Sequence, residues 1–141
     1  MKKIAFICTG NTCRSPMAEG IFNSIAKDYT ASSMGLFPSF SGAAKNAITV
    51  MDSMGIDIAN HVSKGLSGMD DYELILTMTE DQSRLLKSEL GLDNIYSLKE
   101  FTTGKAGDVA DPYGGDLKEY ELTANELKEL IIKLVKKLEG S

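Results

Sequence analysis

The sequence predicts an α/β domain, a parallel sheet with helices on both faces. Three observations carry this. Two short apolar runs without alternation, Lys3–Ile7 and Leu74–Met78, have the pattern of strands buried on both sides. Segments with apolar residues at helical spacing lie between and after the strands. The chain has 141 residues, enough for one domain with one core, so a single domain spanning 1–141 is expected. Crossovers between parallel strands are then right-handed.

In chain order, the first strand ends at a thiol, Cys8. A helix is expected to start at Ser15-Pro16, with serine as cap, proline at the first helical position and Glu19 close to the first turn. Met17, Ile21, Phe22 and Ile25 give its apolar face. Tyr29–Ser33 predicts a second strand, and the proline, serines and glycines of Gly35–Gly42 a loop. Ala43–Met54 predicts a helix stopped by Gly55. After an irregular stretch and the strand at Leu74, Thr79 caps a third helix with Leu85, Leu86 and Leu90 as its stripe and Gly91 as its end. Ile95–Leu98 predicts the fourth strand and Thr102–Gly115 a loop. Leu127, Leu130, Ile131, Leu134, Val135 and Leu138 mark one face of the last helix.

Composition excludes several classes. The chain has no long uncharged apolar run, so no membrane span is expected, and the apolar stretch after Met1-Lys2-Lys3 is too short for a signal peptide. Net charge is −5, and Lys136-Lys137 belongs to an amphipathic helix, so a nucleic-acid partner is not expected. Two cysteines spaced C-x4-C make neither a disulfide scaffold nor a redox C-x-x-C, and one histidine leaves a zinc site short of ligands. A cytoplasmic monomer without metal or cofactor is the expectation.

Chemistry concentrates in Cys8-Thr9-Gly10-Asn11-Thr12-Cys13-Arg14-Ser15-Pro16. A cysteine at a strand end is most often a small buried hydrophobe. Here it faces a helix start and has Arg14 six residues on; helix dipole, loop amides and guanidinium all favour the thiolate. Gly10 permits a positive φ and Asn11 tolerates one, so successive amides can turn inward as an anion nest. The Arg14 fork can hold two phosphoryl oxygens through a trigonal-bipyramidal transition state. Ser15, besides capping, is placed to donate to the Cys8 sulfur. A bare C-x5-R match is weak; the strand before it and the Ser-Pro helix start strengthen it. A leaving group needs a proton and water needs a base. The candidate is Asp111 in Asp111-Pro112-Tyr113-Gly114-Gly115-Asp116, on the same side of the sheet, with Asp108 and Asp116 as rival carboxylates.

Ile7-Cys8-Thr9-Gly10-Asn11-Thr12-Cys13-Arg14-Ser15-Pro16 and Asp111-Pro112-Tyr113, in order and at opposite ends, resemble the low-molecular-weight protein tyrosine phosphatase family over essentially the whole chain. The resemblance implies a four-stranded parallel sheet of order 2-1-3-4, with the phosphate loop (Thr9, Gly10, Asn11, Thr12, Cys13, Ser15) after the first strand. It implies Cys8 as nucleophile, Arg14 as phosphoryl binder and Asp111 as general acid, then base. Asn11, Ser15, Ser33 and His61 resemble the family's supporting network. Cys13 resembles its backdoor cysteine, a redox guard for Cys8. The expected partners are phosphorylated proteins.

Within the family, tyrosine-directed members usually carry a bulky aliphatic residue at the position of Thr12, and members acting on phosphoarginine carry threonine. Leu98-Lys99-Glu100-Phe101 and Asp111-Pro112-Tyr113-Gly114-Gly115 also resemble the arginine-phosphatase branch. A hydroxyl suits a planar polar guanidinium where an aliphatic wall would not. Phosphoarginine on proteins is therefore the favoured substrate, phosphotyrosine the alternative. Phe37, Phe40 and Tyr113 join Thr12 as expected specificity residues at the mouth. An arsenate reductase of the same fold needs further cysteines after Cys13, which the chain lacks. A non-catalytic phosphate-binding module fits poorly with an intact Cys8, Arg14 and Asp111.

Overall fold

The protein is described from a computed structural model covering residues 1–140. Its elements are β1 (Lys2–Cys8), α1 (Arg14–Ile25), β2 (Tyr29–Gly35), α2 (Lys45–Ser53), β3 (Leu74–Thr77), α3 (Glu80–Leu90), β4 (Ile95–Ser97), α4 (Leu98–Thr103) and α5 (Leu117–Glu139). The strands form one parallel sheet in the order β2-β1-β3-β4. The chain leaves β1 to one side for β2, then returns to the other side for β3. The carboxyl end of β1 is thus the switch point of the sheet, where α/β folds open a crevice. Cys8 is the last residue of that strand.

Alternation along the buried strands builds two cores. Ile4, Phe6 and Cys8 of β1, with Leu74 and Leu76 of β3, face one side and pack with α1 and α5 residues such as Met17, Phe22, Leu127 and Ile131. Ala5, Ile7, Ile75 and Ile95 face the other, against Leu86 of α3 and Met69 of a short 3-10 turn. Phe6 and Phe22 meet edge to face at 5.8 Å between centroids. Each is fully buried, a contribution of about 1.5–3 kcal/mol apiece before conformational costs.

Thr79 caps α3 as expected. Its hydroxyl accepts from the Gln82 amide while the Gln82 side chain accepts from the Thr79 amide, a capping box. Gly91 ends the helix in the left-handed conformation. Other expectations are corrected. Cys13, not Ser15, is the N-cap residue of α1, with no side-chain cap, because the Ser15 hydroxyl is engaged by Cys8 and Asn11. Glu19 lies beyond the first turn of α1 and accepts from Ser33 instead. Leu85 is exposed, so the α3 stripe reduces to Leu86 with half-buried Leu90. Leu98 is not the end of β4. It starts α4, a helix capped by the Ser97 hydroxyl, which accepts from the Glu100 amide at 3.1 Å.

Candidate active site

The phosphate loop spans the turn from β1 into α1, and Asn11 is its hub. Asn11 takes φ +58, whereas Gly10, expected to share that conformation, does not. A left-handed asparagine costs less than other non-glycine residues there, and this one is completely buried. Its Nδ2 donates to Ser15 Oγ at 2.8 Å and to Ser33 Oγ at 3.0 Å. Its Oδ1 accepts from the Lys64 amide at 3.0 Å. Its carbonyl lies 2.7 Å from His61 Nε2. A carbonyl can only accept, so His61 carries a proton on Nε2. The Ser33 hydroxyl in turn donates to Glu19 Oε1 at 2.6 Å. Every polar group of the side chain is satisfied, as a buried strained residue requires.

This network reaches Cys8. Cys8 Sγ lies 2.8 Å from Ser15 Oγ, buried. Because Ser15 Oγ accepts from Asn11, its own proton is free to point at the sulfur, the polarity a thiolate needs. Arg14 is nearly buried, and Nη1 donates to the Val109 carbonyl at 2.9 Å. Val109 is itself tied to the end of β3, its amide donating to Met78 O at 2.8 Å. That tether brings the following segment over the loop: Asp111 Oδ2 stands 3.5 Å from Arg14 Nη2. The Asp111 side chain is half-exposed, and Oδ1 accepts from the Tyr113 amide at 3.0 Å. The rival carboxylates have other partners. Asp108 accepts from the Glu80 amide at the start of α3, and Asp116 caps α5.

Cys8, Arg14 and Asp111 thus converge on one cleft of about 560 Å³, whose walls also include Thr9, Gly10, Thr12, Cys13, Ser39, Ser41, Gly42–Ala44 and Tyr113. Phe37 and Phe40, expected as specificity residues at the mouth, are both largely exposed and lie outside the cleft wall. The neighbouring serines turn inward in their place. Both cysteines are free thiols. Cys13 Sγ lies 3.3 Å from the Tyr120 hydroxyl, and burial pushes the Cys13 thiol up from its ordinary range. Burial, then the Cys13 contact, likewise raises Tyr120. Among the described residues no group of three or more His, Cys, Asp or Glu side chains is placed to hold a metal ion, and no helix is long and apolar enough to cross a membrane.

Three supporting residues escape sequence reading. Gln82, besides boxing α3, donates from Nε2 to Thr9 Oγ1 at 3.1 Å. Ser63 donates to the Gly10 carbonyl at 2.7 Å. Gly35 ends β2 beside the loop, where a Cβ would stand 2.9 Å from Thr9 O and 3.0 Å from Asn11 Cβ. Only a glycine lets the loop approach the strand so closely. Its position at a loop start was visible; the backbone pressed against it was not.

This arrangement can hold a tetrahedral oxyanion over a sulfur nucleophile, with a carboxyl group above. Comparison with known proteins agrees. Residues 3–141 match the model for low molecular weight phosphotyrosine protein phosphatase. A protein-arginine-phosphatase of Bacillus subtilis (strain 168) is 42% identical, covering 96% of this chain and 95% of its own. A low molecular weight protein-tyrosine-phosphatase PtpB of Staphylococcus haemolyticus is 40% identical, covering 94% and 96%. A solved cysteine-to-serine mutant of YwlE arginine phosphatase, with a phosphorylated active-site serine, superposes with a TM-score of 0.93 at 39% identity, over 97% of this chain and 95% of that one. The chain belongs to the low-molecular-weight phosphotyrosine protein phosphatase family.

Proposed function

We propose that residues 1–141 form one phosphatase domain that hydrolyses phosphoarginine on cytoplasmic proteins through a phosphorylated Cys8. The Cys8 thiolate attacks phosphorus while Arg14 and the loop amides take the equatorial oxygens. The bond from phosphorus to the guanidinium nitrogen breaks, and Asp111 gives that nitrogen its proton. Water, giving a proton to Asp111, then attacks the cysteinyl-phosphate. The S–P bond breaks, inorganic phosphate leaves, and the Ser15 hydroxyl stabilises the returning thiolate. Proximity supports these roles: Asp111 stands beside Arg14, and Ser15 beside Cys8. Asn11, Ser33 and His61 serve as positioning residues for the loop.

The observation that carries the choice of substrate is the place of Thr12 in the cleft wall; in this reading its hydroxyl meets the incoming guanidinium. Relatives named for arginine and for tyrosine phosphatase activity stand at similar identity, so family membership leaves the substrate open. The test is kcat/KM on matched phosphoarginine and phosphotyrosine peptides, with wild type and Thr12→Ile. Phosphoarginine should be preferred, and the preference should fall at least tenfold in Thr12→Ile, about 1.4 kcal/mol. Faster phosphotyrosine turnover that Thr12→Ile leaves unchanged would transfer the assignment to phosphotyrosine.

Cys13 lines the same cleft and serves as the redox guard. When peroxide converts Cys8 to a sulfenic acid, the Cys13 sulfur attacks it, water leaves and a disulfide forms. Activity should return with dithiothreitol after peroxide in wild type but not in Cys13→Ser. Equal recovery in both would remove Cys13 from that role.

A further inference from the structure

Thr9 directly follows the nucleophile and lines the cleft, yet the mechanism above gives its hydroxyl no task. That hydroxyl is held from α3, by the buried amide of Gln82. The two ends of the amide are not interchangeable. Oε1 accepts from the Met78 amide at 2.9 Å and from the Thr79 amide at 3.1 Å. Backbone amides can only donate, so the atom facing them is the oxygen, and the NH2 end faces Thr9. Nε2 donates to Thr9 Oγ1 at 3.1 Å.

The helix does not explain why this residue is an amide. A glutamate serves a capping box as well as a glutamine does, and its charge suits the positive end of a helix, where Glu80 and Asp81 already sit. Only the amide has a proton to give Thr9. The direction of that bond has a consequence. Having accepted from Gln82, the Thr9 hydroxyl keeps its own proton, and among the described residues no group accepts it. The Thr9 carbonyl accepts from the Phe37 amide at 2.8 Å, so backbone and side chain are both fixed. The free proton is offered to what enters the cleft beside Cys8. A carboxylate in place of the amide would accept from Thr9 and turn that proton away.

We propose that Gln82 is a positioning residue for phosphoryl transfer, holding the Thr9 hydroxyl as a hydrogen-bond donor to a phosphoryl oxygen of the bound substrate. A donor set in place before the substrate arrives stabilises oxyanion charge without reorganising at the moment of reaction. Gln82 thereby links the start of α3 to the phosphate loop, with one end of its amide serving each. This proposal rests on the phosphatase activity but not on the choice between phosphoarginine and phosphotyrosine.

The test is a double-mutant cycle with Gln82→Glu and Thr9→Val, reading Tm, kcat/KM on p-nitrophenyl phosphate and Kd for inorganic phosphate. Gln82→Glu keeps the capping box, so its Tm should match wild type. Its kcat/KM should fall about tenfold, and its Kd for phosphate should rise in step. Thr9→Val, which leaves the cap intact, should lose about as much, and Thr9→Ser should keep wild-type activity. Added to Thr9→Val, Gln82→Glu should cost less than about threefold, because no hydroxyl is left to turn. An equal loss from Gln82→Glu in both backgrounds would make it a charge effect and overturn the proposal. So would wild-type kcat/KM in Thr9→Val, or a loss of activity in Gln82→Glu that follows a fallen Tm. No cleavage by wild type would instead refute the phosphatase activity itself, while phosphate binding would still read the Thr9 contact.

Discussion

Two segments meet over the cleft, and they are built in opposite ways. The phosphate loop is over-determined around buried Asn11, which makes four hydrogen bonds within it and to its surroundings, to Ser15, Ser33, Lys64 and His61. The segment carrying Asp111 is half-exposed, anchored by the Val109 amide at Met78 and the Val109 carbonyl at Arg14. The difference matches their proposed tasks. A nucleophile and its oxyanion cradle must hold geometry to a fraction of an ångström. An acid that later activates water needs access to solvent and to departing groups. Rigidity is placed where charge develops, and exposure where protons and products exchange.

The comparison predicts that equal-sized changes have unequal structural costs. Asn11→Ala should be the most damaging to the fold, by about 2–4 kcal/mol. It leaves a left-handed alanine and strips partners from Ser15, Ser33 and the Lys64 amide. Denaturant unfolding checks this, and a loss under 1 kcal/mol would show that the loop is not over-determined. Gly35→Ala should follow, at about 1–3 kcal/mol, because its Cβ meets backbone that cannot retreat. Its catalytic loss should exceed that of Asp111→Ala on substrates needing no acid, since it displaces Thr9 and Asn11 together. A variant with wild-type Tm and rate would contradict the close approach.

Far from both segments, a smaller effect calibrates the scale. Glu139 accepts hydrogen bonds from the backbone amides of Asp28 and Lys27, tying the end of α5 to the start of β2. The bond from Asp28 leads the causes that hold its carboxyl below the usual range. A lowered folded-state value means that this carboxylate stabilises the fold above its unfolded pKa, and that the contribution fades as pH falls through the folded value. Glu139→Gln should therefore lower Tm slightly at neutral pH and converge with wild type in acid. Divergence toward acid would reverse the sign.

Much of this was legible in the sequence, for reasons that particular residues display. Uninterrupted apolar runs give β1 and β3 because both faces of the sheet are covered. Thr79 and Gly91 mark α3 because capping chemistry is local. That Cys8, Arg14 and Asp111 share one cleft was readable because phosphoryl transfer would dictate these residue types in this pattern. What escaped depends on contacts between distant segments. Gln82 reaches Thr9 and Ser63 reaches Gly10 across more than fifty residues, with no local pattern. The α4 helix escaped because six residues directly after a strand leave little room for a period. The outward turn of the Phe37 and Phe40 rings escaped too, because composition does not say which way a ring turns.

The division of labour between the two segments is tested most directly by trapping the intermediate. Asp111→Ala is mixed rapidly with p-nitrophenyl phosphate, whose leaving group needs little protonation, and with a phosphoarginine peptide, whose leaving nitrogen needs it fully. With p-nitrophenyl phosphate, a burst of one nitrophenol per enzyme should appear, and mass spectrometry should find the phosphoryl group on Cys8. The peptide should react about 10²–10⁴-fold more slowly than with wild type, without a burst. Equal slowing of both substrates, or a phosphoryl group anywhere but Cys8, would contradict the account.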